Sequence, residues 1–243
     1  MTFQNSVTIV ASPRPRVGKT LLARLLTDFH RQEGRAVQAF DLNSGAATLS
    51  QFLPEWTIVS EIDDIAGQMA LFDRMIADDG VNKVVDLGAA AFESFFGVVQ
   101  KIGFTEEARR RGIATAILYF VSPDATSVET YRSLSGRLPA ASMVPVQNDI
   151  LGSGHYRDKY RASGGDAAVV RLPLLAAATR KFTDRPPFSF ADIRVAGATA
   201  PEREIHIELQ HWLRKIHLEF HELELRLLLA DLNASIQLSP LIQ

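Results

Sequence analysis

The residues best suited to chemistry lie near the start of the chain, where Ala11-Ser12-Pro13-Arg14-Pro15-Arg16-Val17 runs into Gly18-Lys19-Thr20. A Gly-Lys-Thr triplet between a strand and a helix is the second half of the phosphate-cradling pattern G-x-x-x-x-G-K-[ST]. Successive backbone N–H groups and the positive end of a helix dipole attract an anion there. Lys19 supplies a charge for the outer phosphates and Thr20 a hydroxyl for Mg²⁺. Pro13 occupies the place of the first glycine. Arg16, Val17, Gly18, Lys19 and Thr20 all keep their N–H. Pro13 and Pro15 lack theirs, but they lie on the upstream arc, which their fixed φ can pre-organise. A cost arises if Arg16 must take a positive φ, which glycine tolerates and arginine resists. The plainer alternative is a helix N-terminus with an incidental Gly-Lys-Thr.

Those residues need a frame. Val7–Ser12, Ala36–Leu42, Lys83–Gly88, Ala114–Ser122, Ala141–Asn148 and Ala167–Leu172 are short and largely apolar, as buried strands are. Gly18–Glu33, Ile62–Ala77, Phe92–Ile102 and Ser127–Leu138 lie between them and carry apolar residues at helical spacing. Alternation of this kind predicts an α/β fold, a mostly parallel twisted sheet covered by helices on both faces. Ligands of such sheets bind beyond the carboxyl ends of the strands. Asp41 and Asn43, Asp86 and Asn148 all fall at such ends, as does the Gly-Lys-Thr loop. For Asp41 a capping role after the strand is the competing reading. Around Pro186–Pro187 and Val195–Pro201 the pattern breaks, which predicts a body over residues 1–195 and a helical extension over residues 196–243. Within that extension Glu202–Leu232 has no Gly or Pro. Ile205, Leu209, Trp212, Leu213, Ile216, Phe220, Leu223 and Leu227 form one apolar stripe, on a helix on the order of 45 Å long.

Arg14-Pro15-Arg16-Val17-Gly18-Lys19-Thr20 resembles the deviant K-G-G-x-G-K-T loop of the ParA/MinD family of P-loop partitioning and positioning ATPases. Further segments follow in that family's order. Asp41-Leu42-Asn43-Ser44-Gly45 resembles its D-x-D segment, and Val84-Val85-Asp86-Leu87-Gly88 its Walker B strand. Val144-Pro145-Val146-Gln147-Asn148 and Leu172-Pro173-Leu174 resemble the adenine-lining segments. Plasmid-stability and conjugation relatives of the family look similar in size. The resemblance spans about residues 6–185 and implies ATP and Mg²⁺ as cofactors in a nucleotide-sandwiched homodimer. In that reading Arg16 to Thr20 hold phosphate, Thr20 and Asp86 serve the metal, and Asn148 and Pro173 meet the base. Arg14, in place of the signature lysine, would reach across to the other subunit. Arg keeps the charge but is no simple substitute for Lys. Asn43 stands where the family has an Asp that positions or activates water. It can orient a water but not accept its proton, so hydrolysis is expected to be weak or absent, with Asp41 left to support the metal shell.

Composition bounds the alternatives. The chain has 243 residues, no cysteine and a formal net charge of −2. Disulfides, thiolate zinc sites and thiol catalysis are therefore excluded. Residues 157–194 hold eight bases against four acids, with Tyr156 and Tyr160 interleaved. That is a candidate patch for non-specific DNA binding, set against an ordinary solvated face. His217 and His221, spaced i, i+4 with Glu224 nearby, could clamp a divalent metal, although a solvated helix flank is the simpler reading. Between Glu202 and Arg226 six acids outnumber four bases, which argues against a membrane-surface helix. Met1–Ser6 shows no basic-then-apolar leader, so a cytoplasmic location is expected. The sequence thus predicts a nucleotide-dependent dimer switch with a protein partner. The main alternative is a non-catalytic scaffold with a vestigial loop, acting through its C-terminal helix. A P-loop kinase or synthetase would need a second substrate pocket, for which no motif is present.

Overall fold

The computed structural model describes residues 5–43, 48–152, 160, 169–193 and 200–238, with side chains of the last helix described from 203 to 229. Seven strands, β1 (Ser6–Ala11), β2 (Val37–Leu42), β3 (Thr57–Val59), β4 (Asn82–Leu87), β5 (Ala114–Phe120), β6 (Ser142–Asn148) and β7 (Val170–Leu172), form one sheet. Their order is β3-β2-β4-β1-β5-β6-β7, and every described pairing is parallel. Chain order reverses about β1, so the segment leaving β1 enters the crevice where such sheets bind ligands.

The helices are α1 (Lys19–Gln32), α2 (Leu49–Phe52), α3 (Ile65–Met75), α4 (Phe92–Lys101), α5 (Phe104–Arg110), α6 (Ala125–Arg137), α7 (Ala177–Thr183) and α8 (Ala200–Leu238). The six expected strands and the long helix are present. Ala167 and Ala168, at the start of the sixth expected strand, lie outside the described residues. Four elements go beyond the sequence reading: β3, a three-residue edge strand, the four-residue helix α2, and the seven-residue helices α5 and α7.

Side chains alternate across the strands and build two cores. Val7, Ile9 and Ala11 face a cluster with Phe72, Phe95, Phe96, Phe104 and Tyr131. Val10, Leu118 and Val144 face the other, which contains Leu22, Leu26 and Phe29 of α1. The expected stripe of α8 joins this second core through Leu209, Trp212, Leu213, Ile216, Phe220 and Leu223. Beyond α7 the chain is tied to α1. Arg24, almost wholly buried, donates to the carbonyls of Thr183 and Phe188 and sits over the Phe52 ring. Asp28 accepts from the Phe190 N–H and the Ser189 hydroxyl.

Candidate functional site

At the carboxyl end of β1 the chain turns through Pro13–Val17 into α1. Arg16 does take the costly conformation, with φ 60°, and Gly18 follows at φ 107°. A non-glycine residue in this region costs on the order of 1–3 kcal/mol, the kind of strain that collects at functional loops. The Arg14 N–H donates to Ser12 Oγ. Gly18 caps α1 without a side-chain hydrogen bond, and no acid lies in the first turn. The first-turn N–H groups, which have no intrahelical acceptor, therefore have no carboxylate of their own helix competing for them. Lys19 is buried and its Nζ donates to the Arg14 carbonyl at 2.9 Å. Burial lowers its pKa, opposed by the nearby Asp86 charge.

The acidic side of the site comes from β2 and β4, whose register sets Asp41 beside Asp86. Asn43 joins them, donating through Nδ2 to Asp41 Oδ1 at 3.0 Å and to Asp86 Oδ2 at 2.9 Å. Asp41 also accepts from the N–H groups of Asn43 and Ser50, so it does cap the turn after β2. Thr20 Oγ1 donates to Asp86 Oδ2 at 2.6 Å. Burial pushes the Asp86 pKa up to about 7, reinforced by the Asp41 charge and opposed by the Thr20 hydrogen bond, Lys19 and Asn43. Asp86 Oδ1 is buried with no hydrogen-bond partner. An orphaned carboxylate oxygen next to a threonine hydroxyl fits Mg²⁺ held through water, because Mg²⁺ keeps several waters and takes few protein ligands. Thr20 would supply the direct oxygen and Asp86 the outer one.

Behind the loop lies a cavity of about 540 Å³ lined by Gly18, Lys19, Thr20, Asn43, Asn148 and Pro173 among others. Asn148 is engaged locally: its Nδ2 donates to the Val17 carbonyl at 2.9 Å and its Oδ1 accepts from the Ile150 N–H. Trp212 of α8 also lines this cavity, and its indole N–H donates to the Pro173 carbonyl. In the sequence Trp212 is simply part of the packing stripe, since nothing in a helical period distinguishes a cavity wall from a core position. Arg14 points to its own chain and pairs with Asp124 at 2.8 Å. Asp124 also caps α6 by accepting from Ser127. Sequence reasoning did not pick out Asp124; an acid opening a helix reads as a cap and nothing more.

Two other candidates fare differently. His217 and His221 both pack their rings against Phe29, Glu224 pairs with Arg35, and no metal-holding group of three or more His, Cys, Asp or Glu side chains occurs among the described residues. The clamp is therefore not formed: Glu224 is committed to Arg35, and His221 faces Glu33 at 3.7 Å instead. In the basic segment, Tyr156, Arg157, Lys159, Arg161 and Arg194 lie outside the described residues. Tyr160 is buried and its hydroxyl donates to the Ser122 carbonyl, so it is no stacking platform for bases. Arg171 pairs with Asp149.

No family model matches the sequence, and neither does any curated protein. Solved structures do. The MinD cell division protein of Aquifex aeolicus is 14% identical, with 85% of this chain and 95% of that one covered at a TM-score of 0.51. The MinC:MinD cell division protein complex from Aquifex aeolicus gives 17% identity, 59% and 68% coverage and a TM-score of 0.41. FtsY from Mycoplasma mycoides gives 10%, 63% and 54%, and 0.37. The first of these shows the fold: this chain shares the parallel α/β architecture of that MinD structure. No helix among the described residues is long and apolar enough to cross a membrane.

Proposed function

We propose that the chain binds ATP with Mg²⁺ in the cavity behind the loop and uses a nucleotide-dependent homodimer as a switch in positioning DNA or a protein complex. The observation that carries this reading is the Asp86 carboxylate beside the strand–loop–helix unit: its Oδ2 takes Thr20 and Asn43, its Oδ1 is orphaned, and Lys19 lies near enough to feel its charge. Lys19 and the Arg16–Thr20 N–H groups would hold phosphate, Thr20 and Asp86 would serve the metal, and Pro173, Asn148 and Trp212 would meet the base. Bound Mg²⁺ neutralises charge on the phosphates. Asn43 orients water without taking its proton, so turnover is weak. The Arg14–Asp124 pair must open before Arg14 can reach a second subunit. Cargo would be a protein, or DNA through exposed bases such as Arg180, Lys181 and Arg185.

A second reading has its own observation. Lys19 and Asn148 both bind loop carbonyls of this chain, so the loop is self-satisfied, as in a scaffold that has given up nucleotide and acts through α8. Equilibrium binding of ATP with Mg²⁺ to the native chain and to Lys19→Ala separates the two. Binding that collapses at least tenfold in the variant, together with ATP-dependent dimerisation in sedimentation that Arg14→Ala weakens, supports the switch. No binding by either protein leaves the scaffold.

A further inference from the structure

A second cavity, of about 380 Å³, lies at the opposite, amino-terminal end of the sheet. Its origin is visible in the register. On the sheet face that meets α1 and α8, Val10, Leu118 and Val144 sit side by side across β1, β5 and β6. Two residues earlier on each strand, on the same face, the corresponding row is Thr8, Ala116 and Ser142. Three small side chains thus follow three large ones, while the helices above keep full-sized residues, Leu26 and Phe29 on α1 and Phe220 and Leu223 on α8. No described side chain fills the space left. Two polar side chains in its wall are unsatisfied: His30 is 4% exposed, and neither its Nδ1 nor the hydroxyl of buried Thr115 has a hydrogen-bond partner. Burial, with Arg35 nearby, lowers the His30 pKa to about 3, so the ring is neutral. The wall's carboxylate, Glu224, is already paired with Arg35.

We propose that this cavity is a binding site for a small, uncharged, mainly apolar molecule carrying one hydroxyl, which meets the free nitrogen of His30. The size suits such a ligand, since a dry cavity of about 150 Å³ already takes up benzene. Largely apolar walls and a neutral imidazole disfavour a charged ligand; the wall's one cation, Arg109, is exposed to solvent. A hydroxyl both donates and accepts, so it serves either tautomer of His30. The site is independent of the nucleotide reading. It shares α1 and α8 with the upper cavity but none of its lining residues.

Phenol and toluene are the probes, titrated into the full chain without nucleotide and followed by calorimetry and NMR. Phenol is expected to bind saturably at one site, with contacts to the Leu26, Phe29 and Leu223 side chains. Ala116→Phe, which fills the small row, should abolish binding of both probes. His30→Phe keeps a ring but removes the nitrogens; it should weaken phenol about fivefold or more, the scale of one buried hydrogen bond, and leave toluene within about twofold. Absence of saturable phenol binding, meaning the cavity holds only water, overturns the proposal. So does binding that Ala116→Phe leaves intact. If Ala116→Phe does not fold, the native contacts and the His30→Phe comparison decide: phenol contacts elsewhere, or equal weakening of both probes, overturn it.

Discussion

Asp86 and His30 are both buried and both biased toward the neutral form, one at each end of the sheet. Their effects on stability run in opposite directions with pH. The Asp86 pKa is raised from 3.8 to about 7, so its neutral form stabilises the fold at low pH and that contribution is lost as pH rises from about 4 to 7. The His30 pKa is lowered from 6.5 to about 3, so its contribution is present above 6.5 and lost as pH falls toward 3. Each pKa unit is worth roughly 1.4 kcal/mol, so each group bears on the order of 4 kcal/mol, and between pH 4 and 6.5 the two largely offset. The outcome, in metal-free protein followed by urea denaturation, is read as differences from the native profile. His30→Phe should lose stability as pH rises through that window, and Asp86→Asn should lose it as pH falls. Asp28, also raised by burial, is common to all three proteins and cancels. Parallel slopes in all three would refute the assignment. Asp86 was legible from its place after an apolar strand. His30 was not, because a histidine on a helix has no sequence mark of the void beneath it.

The loop and β6 form one mechanical unit at the scale of elements. Gly18 passes so close to Asn148 that an added Cβ would lie 2.7 Å from its Nδ2, while that same amide holds the Val17 carbonyl. Gly18→Ala must therefore displace Asn148 and also strain a φ of 107°. It is expected to cost about 2 kcal/mol or more and to weaken any nucleotide binding at least tenfold, whereas Gly34→Ala, with open space around it, should show only its positive-φ strain. Denaturation midpoints beside ATP titrations check this; equal losses at the two glycines would argue against the latch. The loop's place was readable from Gly18-Lys19-Thr20 following an apolar strand, because both features are local. β3, α2, α5 and α7 were not. Three residues at a sheet edge and helices of four or seven residues are shorter than any period can reveal. Gly103, at φ 62°, follows α4 where the sequence reading also ended it and caps the start of α5.

Across the whole molecule, exposed apolar side chains distinguish the two functional readings. Ile150, Leu151 and Leu174 are about half exposed or more; Ile150 and Leu174 line the nucleotide-sized cavity, and Leu151 borders Arg14 and Val17. A dimer that sandwiches nucleotide would cover this rim. The outward side of α8 carries another set, Leu218, Leu225 and Leu229, at the i, i+7, i+11 spacing of one helix face. The stripe on α8 was visible in the sequence and serves the core; Leu218, Leu225 and Leu229 lie off it, and only the structure shows them as a separate outward set. Two double variants then oppose each other. Ile150→Glu with Leu174→Glu should weaken ATP-dependent dimerisation at least tenfold in sedimentation and leave the monomer's melting within about 2 °C, because exposed substitutions cost little stability. Leu218→Glu with Leu225→Glu should leave that dimerisation unchanged. If the second pair abolishes self-association or partner capture while the first has no effect, with or without ATP, the contact surface is α8. The switch reading then yields to the scaffold.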